Sequence, residues 1–292
     1  GYNWENNFSN AGSDWYHSSD NYLTWVVGIP SSQERIPGIV VTRFAEQNNA
    51  SGAKSLVTLQ MAGYVARDGR QTVTEAQTAP SVRWREVKFR KQAPFSLNPD
   101  TTDAFVYMDE QVHFLINRFG LSTEGGIWGY SLDNEPALWP FTHPRIHPAI
   151  PTYREISDKG IILGHTIKQL DPGALVFGPV LYGISAYIDF QGAPDKSTEG
   201  SGYDWFISYY LHRMKQASDT CGIRLLDVLD LHWYPEARGD NRITDQNATT
   251  PADIQARLQA PRTLWDTGYY ENSWIGQWRK EYLPLIPVIK KS

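Results

Sequence analysis

Four apolar segments, each bounded by Gly, Pro, Asn or Asp, predict the strands of a buried sheet. They cover residues 55–65, 126–132, 174–181 and 225–234. Segments with apolar residues at helical spacing alternate with them, at residues 107–119, 153–170, 204–217 and 274–289. This alternation predicts parallel strands joined by right-handed crossovers.

Two architectures share this alternation, the open doubly wound sheet and the closed (β/α)8 TIM barrel. A glycine-rich phosphate loop after the first strand would favour the open sheet, but Gly63 is isolated there. Polar residues of catalytic types directly follow several strands, which favours the barrel. We therefore predict one α/β domain over residues 1–292, with residues 66–102 as a loop-rich decoration of one barrel face.

Composition excludes several classes of function. Hydrophobic residues make up 41% of the chain and no apolar run approaches the roughly 20 residues that span a bilayer, so we expect a soluble protein without a membrane partner. The net charge of -5 and the scattered Lys and Arg give no reason to expect nucleic-acid binding. The single cysteine, Cys221, excludes an intramolecular disulfide and a cysteine-based metal site.

The chain is rich in aromatic residues, with 11 Trp and 16 Tyr. Many of them neighbour Asn, Asp or Gly rather than lying in apolar periodic runs. Their flat apolar faces and polar atoms suit contact with sugar rings, although core packing is the alternative for any one of them.

Glu135 is the strongest catalytic candidate. The strand predicted at 126–132 leads directly into Asp133-Asn134-Glu135-Pro136, and carboxyl ends of barrel strands converge on the active site. Asn134 could bond a sugar hydroxyl beside the scissile linkage. The alternative is that Asp133 and Asn134 only cap the following helical turn.

Two histidine-containing segments have alternative interpretations. At the end of the strand predicted at 225–234, His232 and Tyr234 alternate with Trp233, so both can face the barrel mouth, although a buried structural His is equally consistent. The segment 143–148 contains His143 and His147, but its prolines disfavour a helix and no third ligand is near, so we predict no metal site.

Several segments together carry a family resemblance. They are residues 1–7, 9–15, 133–139 with the sequence Asp-Asn-Glu-Pro-Ala-Leu-Trp, 143–148, 177–183, 230–237 and 259–266. Across nearly the whole chain they resemble glycoside hydrolase family 44. The resemblance implies a secreted bacterial endo-β-1,4-glucanase or xyloglucanase of the retaining type, with a (β/α)8 barrel and a small β-sandwich. Glu135 matches the acid/base, and Asn134 the residue that contacts the 2-hydroxyl.

The resemblance also implies that this chain is a fragment, with about strands 3 to 6 of the barrel and without the β-sandwich. The family's nucleophile lies in a Thr-Glu-Tyr segment after the helix predicted at 274–289, and so beyond residue 292. We therefore expect the 292 residues alone to be inactive and poorly stable, because unpaired sheet edges are costly.

The implied partner is a β-glucan polysaccharide, bound by a monomer that requires no cofactor. A calcium ion is compatible with such enzymes but has no ligands assigned. Contacts with glucosyl units are predicted for six residues of the chain: Trp4, Trp15, Trp139, His232, Trp233 and Tyr234.

Three alternatives differ from this interpretation. Pairing Glu135 with Glu236 would give two carboxyl groups within the chain and suggest an inverting mechanism. The chain could instead be a glucan-binding barrel that no longer hydrolyses. A phosphate-using α/β enzyme would need an anion-binding glycine loop, which is missing.

Overall fold

In a computed structural model, residues 1–10, 18–278 and 280–291 are described. The strands are β1 (Ser18–Ser19), β2 (Leu56–Leu59), β3 (Tyr64–Ala66), β4 (Gln71–Thr72), β5 (Trp84–Lys88), β6 (Phe105–Tyr107), β7 (Gly129–Leu132), β8 (Leu175–Leu181) and β9 (Val228–Leu231). The α-helices are α1 (Tyr22–Val26), α2 (Ile39–Ala50), α3 (Met108–Phe119), α4 (Trp139–Thr142), α5 (Tyr153–Leu170), α6 (Ile184–Asp189), α7 (Phe206–Cys221), α8 (Pro251–Gln259), α9 (Trp274–Trp278) and α10 (Leu285–Ile289).

A four-stranded parallel sheet forms the centre of the first of two compact units, which covers Gly1–Leu231. Its strand order is β2-β7-β8-β9, and each neighbouring pair is parallel. Helices connect the strands, so the predicted parallel α/β arrangement is confirmed. All four predicted strand segments contain one of these strands, although the first predicted segment breaks after Leu59 and β3 belongs to another sheet.

Helices α3, α5 and α7 occupy three of the predicted helical segments. Helix α5 begins where the Thr152 hydroxyl accepts the Glu155 backbone N–H at 3.0 Å, and it ends before the Asp-Pro-Gly sequence at 171–173. It buries Ile156, Leu163 and Ile167 at helical spacing. This apolar face holds the helix against the sheet.

One prediction about secondary structure is incomplete and another is wrong. Residues 66–102 are mostly loop, as predicted, but they also contain β4 and β5, and β5 lies in a three-stranded sheet of order β3-β5-β6. The helix predicted at 274–289 is interrupted: α9 ends at Trp278 and α10 starts only after Pro284, which has no backbone N–H to continue a helix.

The second compact unit covers His232–Ser292, so the unit boundary directly follows β9. Its described residues contain α8, α9 and α10 and no strand longer than an isolated bridge. None of the helices in the described parts of either unit has the length and hydropathy needed to span a bilayer.

Candidate active site

Glu135 lies three residues beyond β7, at the carboxyl edge of the parallel sheet. The chain turns sharply here, since Asp133 and Glu135 both have positive φ, 62° and 48°. Left-handed backbone is unfavourable for residues other than Gly and persists only where the surroundings hold it. Here, hydrogen bonds to the two neighbouring strands, β2 and β8, keep the backbone in this conformation.

Asp133 joins the end of β7 to the end of β2. Its Oδ2 accepts backbone N–H groups of Met61 and Ala62, the latter at 3.0 Å, and its own N–H donates to the Leu59 carbonyl at 3.0 Å. The other oxygen, Oδ1, accepts the Asn134 N–H at 2.8 Å. Asp133 therefore shapes the turn and is fully engaged by the backbone.

Strand β8 holds the other side of the turn. The Glu135 N–H donates to the Val180 carbonyl at 2.9 Å. Val180 itself has φ 56° and lies at a register shift between Pro179 and Leu181. The Glu135 carbonyl then accepts the Leu138 N–H at 2.8 Å, which closes the helical turn after Pro136. The backbone of Glu135 is thus fixed between two strands.

Two side chains of this turn, those of Asn134 and Glu135, are accessible. Glu135 is half-buried and Asn134 is exposed, whereas Asp133 is buried. A carboxyl group and an amide therefore face the carboxyl edge of the sheet, where substrates of barrel enzymes bind.

Tyr182, which directly follows β8, is a site residue that the sequence analysis missed. Burial raises the pKa of Tyr182, and the negative charges of Asp189 and Glu135 add to the rise. Its hydroxyl donates to the Gln191 side-chain oxygen. The available signal was its position at a strand end, the same signal that identified Glu135.

Trp4 and Trp139 are each 0% exposed, so the prediction that they stack on glucosyl units is wrong for this arrangement. Trp4 packs on Phe114 at 5.2 Å between ring centroids, and its indole N–H donates to a backbone carbonyl. Trp139 packs on His147 at 5.0 Å, and Lys159 Nζ lies 5.1 Å from its ring centroid. Both rings are therefore groups of the protein core.

His147 has a structural role. Its Nδ1 lies 2.8 Å from the Ala149 carbonyl and its Nε2 lies 2.9 Å from Glu155 Oε1. Although burial raises the pKa of Glu155, hydrogen bonding from His147 and the Lys159 charge lower it to about 2. Burial also lowers the pKa of His143 to about 2. These imidazoles thus have protein partners, and the described residues bring together no group of three His, Cys, Asp or Glu that could hold a metal such as calcium.

The remaining predicted contact residues lie in the second unit or outside the described residues. There, the His232 and Tyr234 rings pack edge to face, 6.3 Å apart, with Tyr234 exposed and Trp233 half-buried. Trp15 lies outside the described residues. Glu236 is in an irregular segment, where its Oε1 accepts from Arg242. Their contact with substrate stays a prediction.

Comparisons with known proteins agree with this geometry. The sequence matches the model described as Glycoside hydrolase family 44 over residues 8–237. It is 55% identical to the β-mannanase/endoglucanase A of Caldicellulosiruptor saccharolyticus, over 99% of this chain and 23% of that protein. The structure superposes on a family 44 endoglucanase of Clostridium thermocellum with a TM-score of 0.97 and 55% identity, covering 100% of this chain and 58% of the other.

A Paenibacillus polymyxa xyloglucanase gives a TM-score of 0.96 at 53% identity, again over 100% of this chain and 58% of the other. The chain therefore spans less than two thirds of the length of these relatives. The predicted family resemblance and the class of a partial α/β barrel are confirmed.

Proposed function

Since the chain belongs to glycoside hydrolase family 44, we propose that it carries the acid/base half of a retaining endo-β-1,4-glucanase acting on cellulose- or xyloglucan-type polysaccharides. The observation that supports the proposal most directly is the turn at Glu135. Its backbone bonds to both neighbouring strands hold a carboxyl group at the substrate-facing edge of a barrel sheet.

The chemistry begins with the Glu135 carboxyl group protonated. It gives this proton to the glycosidic oxygen as the bond to the anomeric carbon breaks, and a second carboxylate about 5 Å away attacks that carbon. Glu135, now ionised, then takes a proton from the water that hydrolyses the glycosyl-enzyme. Asn134, exposed beside it, would bond the 2-hydroxyl as the oxocarbenium-like transition state forms.

The second carboxylate is proposed to lie beyond residue 292, as the family resemblance implies. Among the acids after β9, Glu236 pairs with Arg242, and Glu271 is 2% exposed with its pKa raised by burial. Neither favours a nucleophile poised for an incoming sugar. The 292 residues alone are therefore expected to be inactive.

The remaining parts of the proposal follow from the substrate. A polymeric glucan cannot cross a cell membrane, so the enzyme acts outside a bacterial cell. We also propose that it acts as a monomer, with each enzyme molecule binding one polysaccharide chain. Proton transfer and carboxylate attack use protein groups and water, and we propose no required cofactor.

The test measures hydrolysis of xyloglucan and carboxymethylcellulose by the longer parent protein, its Glu135→Gln variant and the 292-residue chain. Glu135→Gln should lower kcat by about 10²–10⁴-fold because the general acid is lost. Glu86→Gln, which changes a partly exposed glutamate of β5, is the matched control and should leave kcat unchanged. A Glu135→Gln variant that keeps most of its activity would refute the proposed role.

Two further readouts separate the alternatives. Proton NMR of the first reducing ends should show the β-anomer, and an initial α-anomer would refute the retaining mechanism. Hydrolysis by the 292-residue chain would place the second carboxylate inside it, with Glu236→Gln as the next variant. A parent that binds glucan without cleaving it would support the non-catalytic binding barrel.

A further inference from the structure

A pair of exposed aromatic rings lies on the short helix α1, which carries none of the candidate site residues described above. Trp25 is 73% exposed and Tyr22 is 39% exposed, and their ring centroids are 5.8 Å apart. They line a shallow cleft of about 260 Å³ together with Asp20, Asn21 and Gln71. Two exposed aromatic rings side by side offer a flat apolar face with polar atoms at its edge, which suits a ligand of mixed polarity.

The helix is held rigidly although it is short. The Thr24 side chain is fully buried, and its hydroxyl donates to the Asn21 carbonyl at 2.7 Å. Asp20 exchanges two backbone hydrogen bonds with Ser9, at 2.8 and 2.9 Å, and its Oδ1 accepts the Tyr22 N–H at 3.1 Å. The two rings therefore project from a fixed turn, so little conformational entropy is lost when a ligand binds them.

The polar groups of the cleft restrict the chemistry of the ligand. Its described walls contain two side-chain amides and the largely buried Asp20, and none of the described residues that line it is cationic. Amides suit hydroxyl groups, while the aromatic faces suit the apolar faces of pyranose rings. An anionic polymer would meet no opposite charge among these described residues. The cleft fits a neutral polysaccharide.

The cleft is connected to the catalytic edge by a short path. Gln71 of β4 pairs with Ser19, which precedes α1, and lies nine residues after Ala62. Ala62 donates its N–H to Asp133 in the Glu135 turn at 3.0 Å. Nine extended residues span at most about 30 Å, so one wall of the cleft lies within that distance of the turn. A polymer bound at Glu135 is therefore long enough to reach the cleft as well.

We propose that Tyr22 and Trp25 form an accessory platform that binds a neutral β-glucan chain beyond the segment being cleaved. The identity of the ligand rests on the proposed function, whereas the existence of the platform rests on the exposed ring pair. Its role is retention of polymeric substrate, and it makes no contribution to the chemical step.

The first experiment is affinity electrophoresis of the longer parent protein carrying Glu135→Gln, in gels containing xyloglucan, hydroxyethylcellulose or polygalacturonate. Trp25→Ala should raise the Kd for the two neutral glucans about three- to tenfold, the range expected for one aromatic contact. Trp25→Phe should restore part of the affinity. Val82→Ala, at a residue 75% exposed elsewhere in the unit, should change nothing.

The outcomes are distinct. Equal retardation of the Trp25→Ala variant and the protein with Trp25 unchanged would overturn the platform. So would the absence of retardation by either neutral glucan, or retardation by anionic polygalacturonate equal to that by the neutral glucans. In the longer parent protein, Trp25→Ala should raise KM for xyloglucan and leave kcat on an aryl cellobioside unchanged. A fall in that kcat would show that the change reaches the catalytic turn and would also overturn the proposal.

Failure of the proposed function would look different. A parent protein that hydrolyses no glucan, but whose retention still depends on Trp25, would refute the hydrolase assignment and leave the platform standing. A parent that hydrolyses xyloglucan with the same KM when Trp25 is removed would refute the platform and leave the hydrolase assignment standing.

Discussion

The two larger sheets of the first unit place their charged groups differently. In the parallel sheet β2-β7-β8-β9, the strands bury mostly apolar side chains, and two carboxyl groups, those of Asp133 and Glu135, follow the end of β7. In the sheet β3-β5-β6, the charge is inside: Arg85 of β5 is buried, and its guanidinium donates to Glu5 at 2.9 Å. Lys91 and Glu110 form a second, largely buried pair nearby.

The difference separates charge engaged in buried pairs from charge that is accessible for the proposed chemistry. A buried charged group bonded to its partner is costly to separate from it, so it is not free to approach a substrate. The backbone of Glu135 is held by hydrogen bonds, and its side chain stays partly accessible. Substitutions in the two sheets should therefore affect different measurements.

The largest effect is expected from Glu5→Leu. It removes the partner of a buried guanidinium that cannot lose its charge, and should lower the free energy of unfolding by about 3–5 kcal/mol. Urea unfolding measures it. Glu86→Gln is the matched control on the same strand as Arg85, because the Glu86–Lys88 pair is about 40% exposed. Equal losses in the two variants would abolish the distinction between the sheets.

Asp133→Ala should come next, with a loss of about 2–4 kcal/mol, because the buried N–H groups of Met61 and Ala62 lose their acceptor. Unlike Glu5→Leu, it should also lower kcat of the parent protein at temperatures where the variant is fully folded, because the left-handed turn at Glu135 loosens. If kcat per folded molecule is unchanged, the hydrogen bonds of Asp133 do not position the acid.

A smaller effect is expected for each single unit of pH. Burial raises the pKa of Glu5 from 4.5 to about 8, against the opposing charge of Arg85. Between these values the folded chain holds a proton that the unfolded chain has lost, so stability should fall as pH rises from about 4.5 to 8, by up to about 1.4 kcal/mol per pH unit. Urea midpoints are measured across this pH range for the unchanged chain and for Glu5→Gln, and the difference between the two at each pH isolates this slope. If the unchanged chain instead gains stability relative to Glu5→Gln as pH rises, the assigned cause is contradicted.

The smallest effect belongs to the exposed pair. Glu86→Gln and Lys88→Gln should each change the free energy of unfolding by less than about 1 kcal/mol, because solvent screens both charges. The double variant should show a coupling energy near zero, and a strong coupling would place this pair with the buried ones.

The sequence was sufficient for the parallel sheet because its strands are apolar and its helices have clear ends. The strand Trp84–Lys88 was missed because its pattern contains three charged residues, and burial of Arg85 depends on Glu5, eighty positions earlier in the chain. No local pattern contains that information. Helix α10 was joined wrongly to α9 because the apolar spacing continues through Pro284.

The candidate site was predictable to a similar degree. Glu135 and Asn134 follow from their place after a strand, and Tyr182 could have been identified by the same rule. The burial of Trp4 and Trp139 could not be predicted. The local sequence around an indole is the same whether another side chain, here Phe114 or His147, covers the ring or a sugar does. Burial is a property of the tertiary packing.

The hydrogen bonds of Asp133 have a consequence for how this family can diverge. Loss of the Glu135 carboxylate would end the proposed hydrolysis but leave the sheet edge intact, whereas loss of Asp133 would damage the joint between two strands. Natural selection can therefore relax the glutamate while the aspartate stays constrained. A descendant that had become a lectin-like protein should keep the aspartate and vary at the glutamate, so the pair of positions distinguishes an abandoned enzyme from a working one.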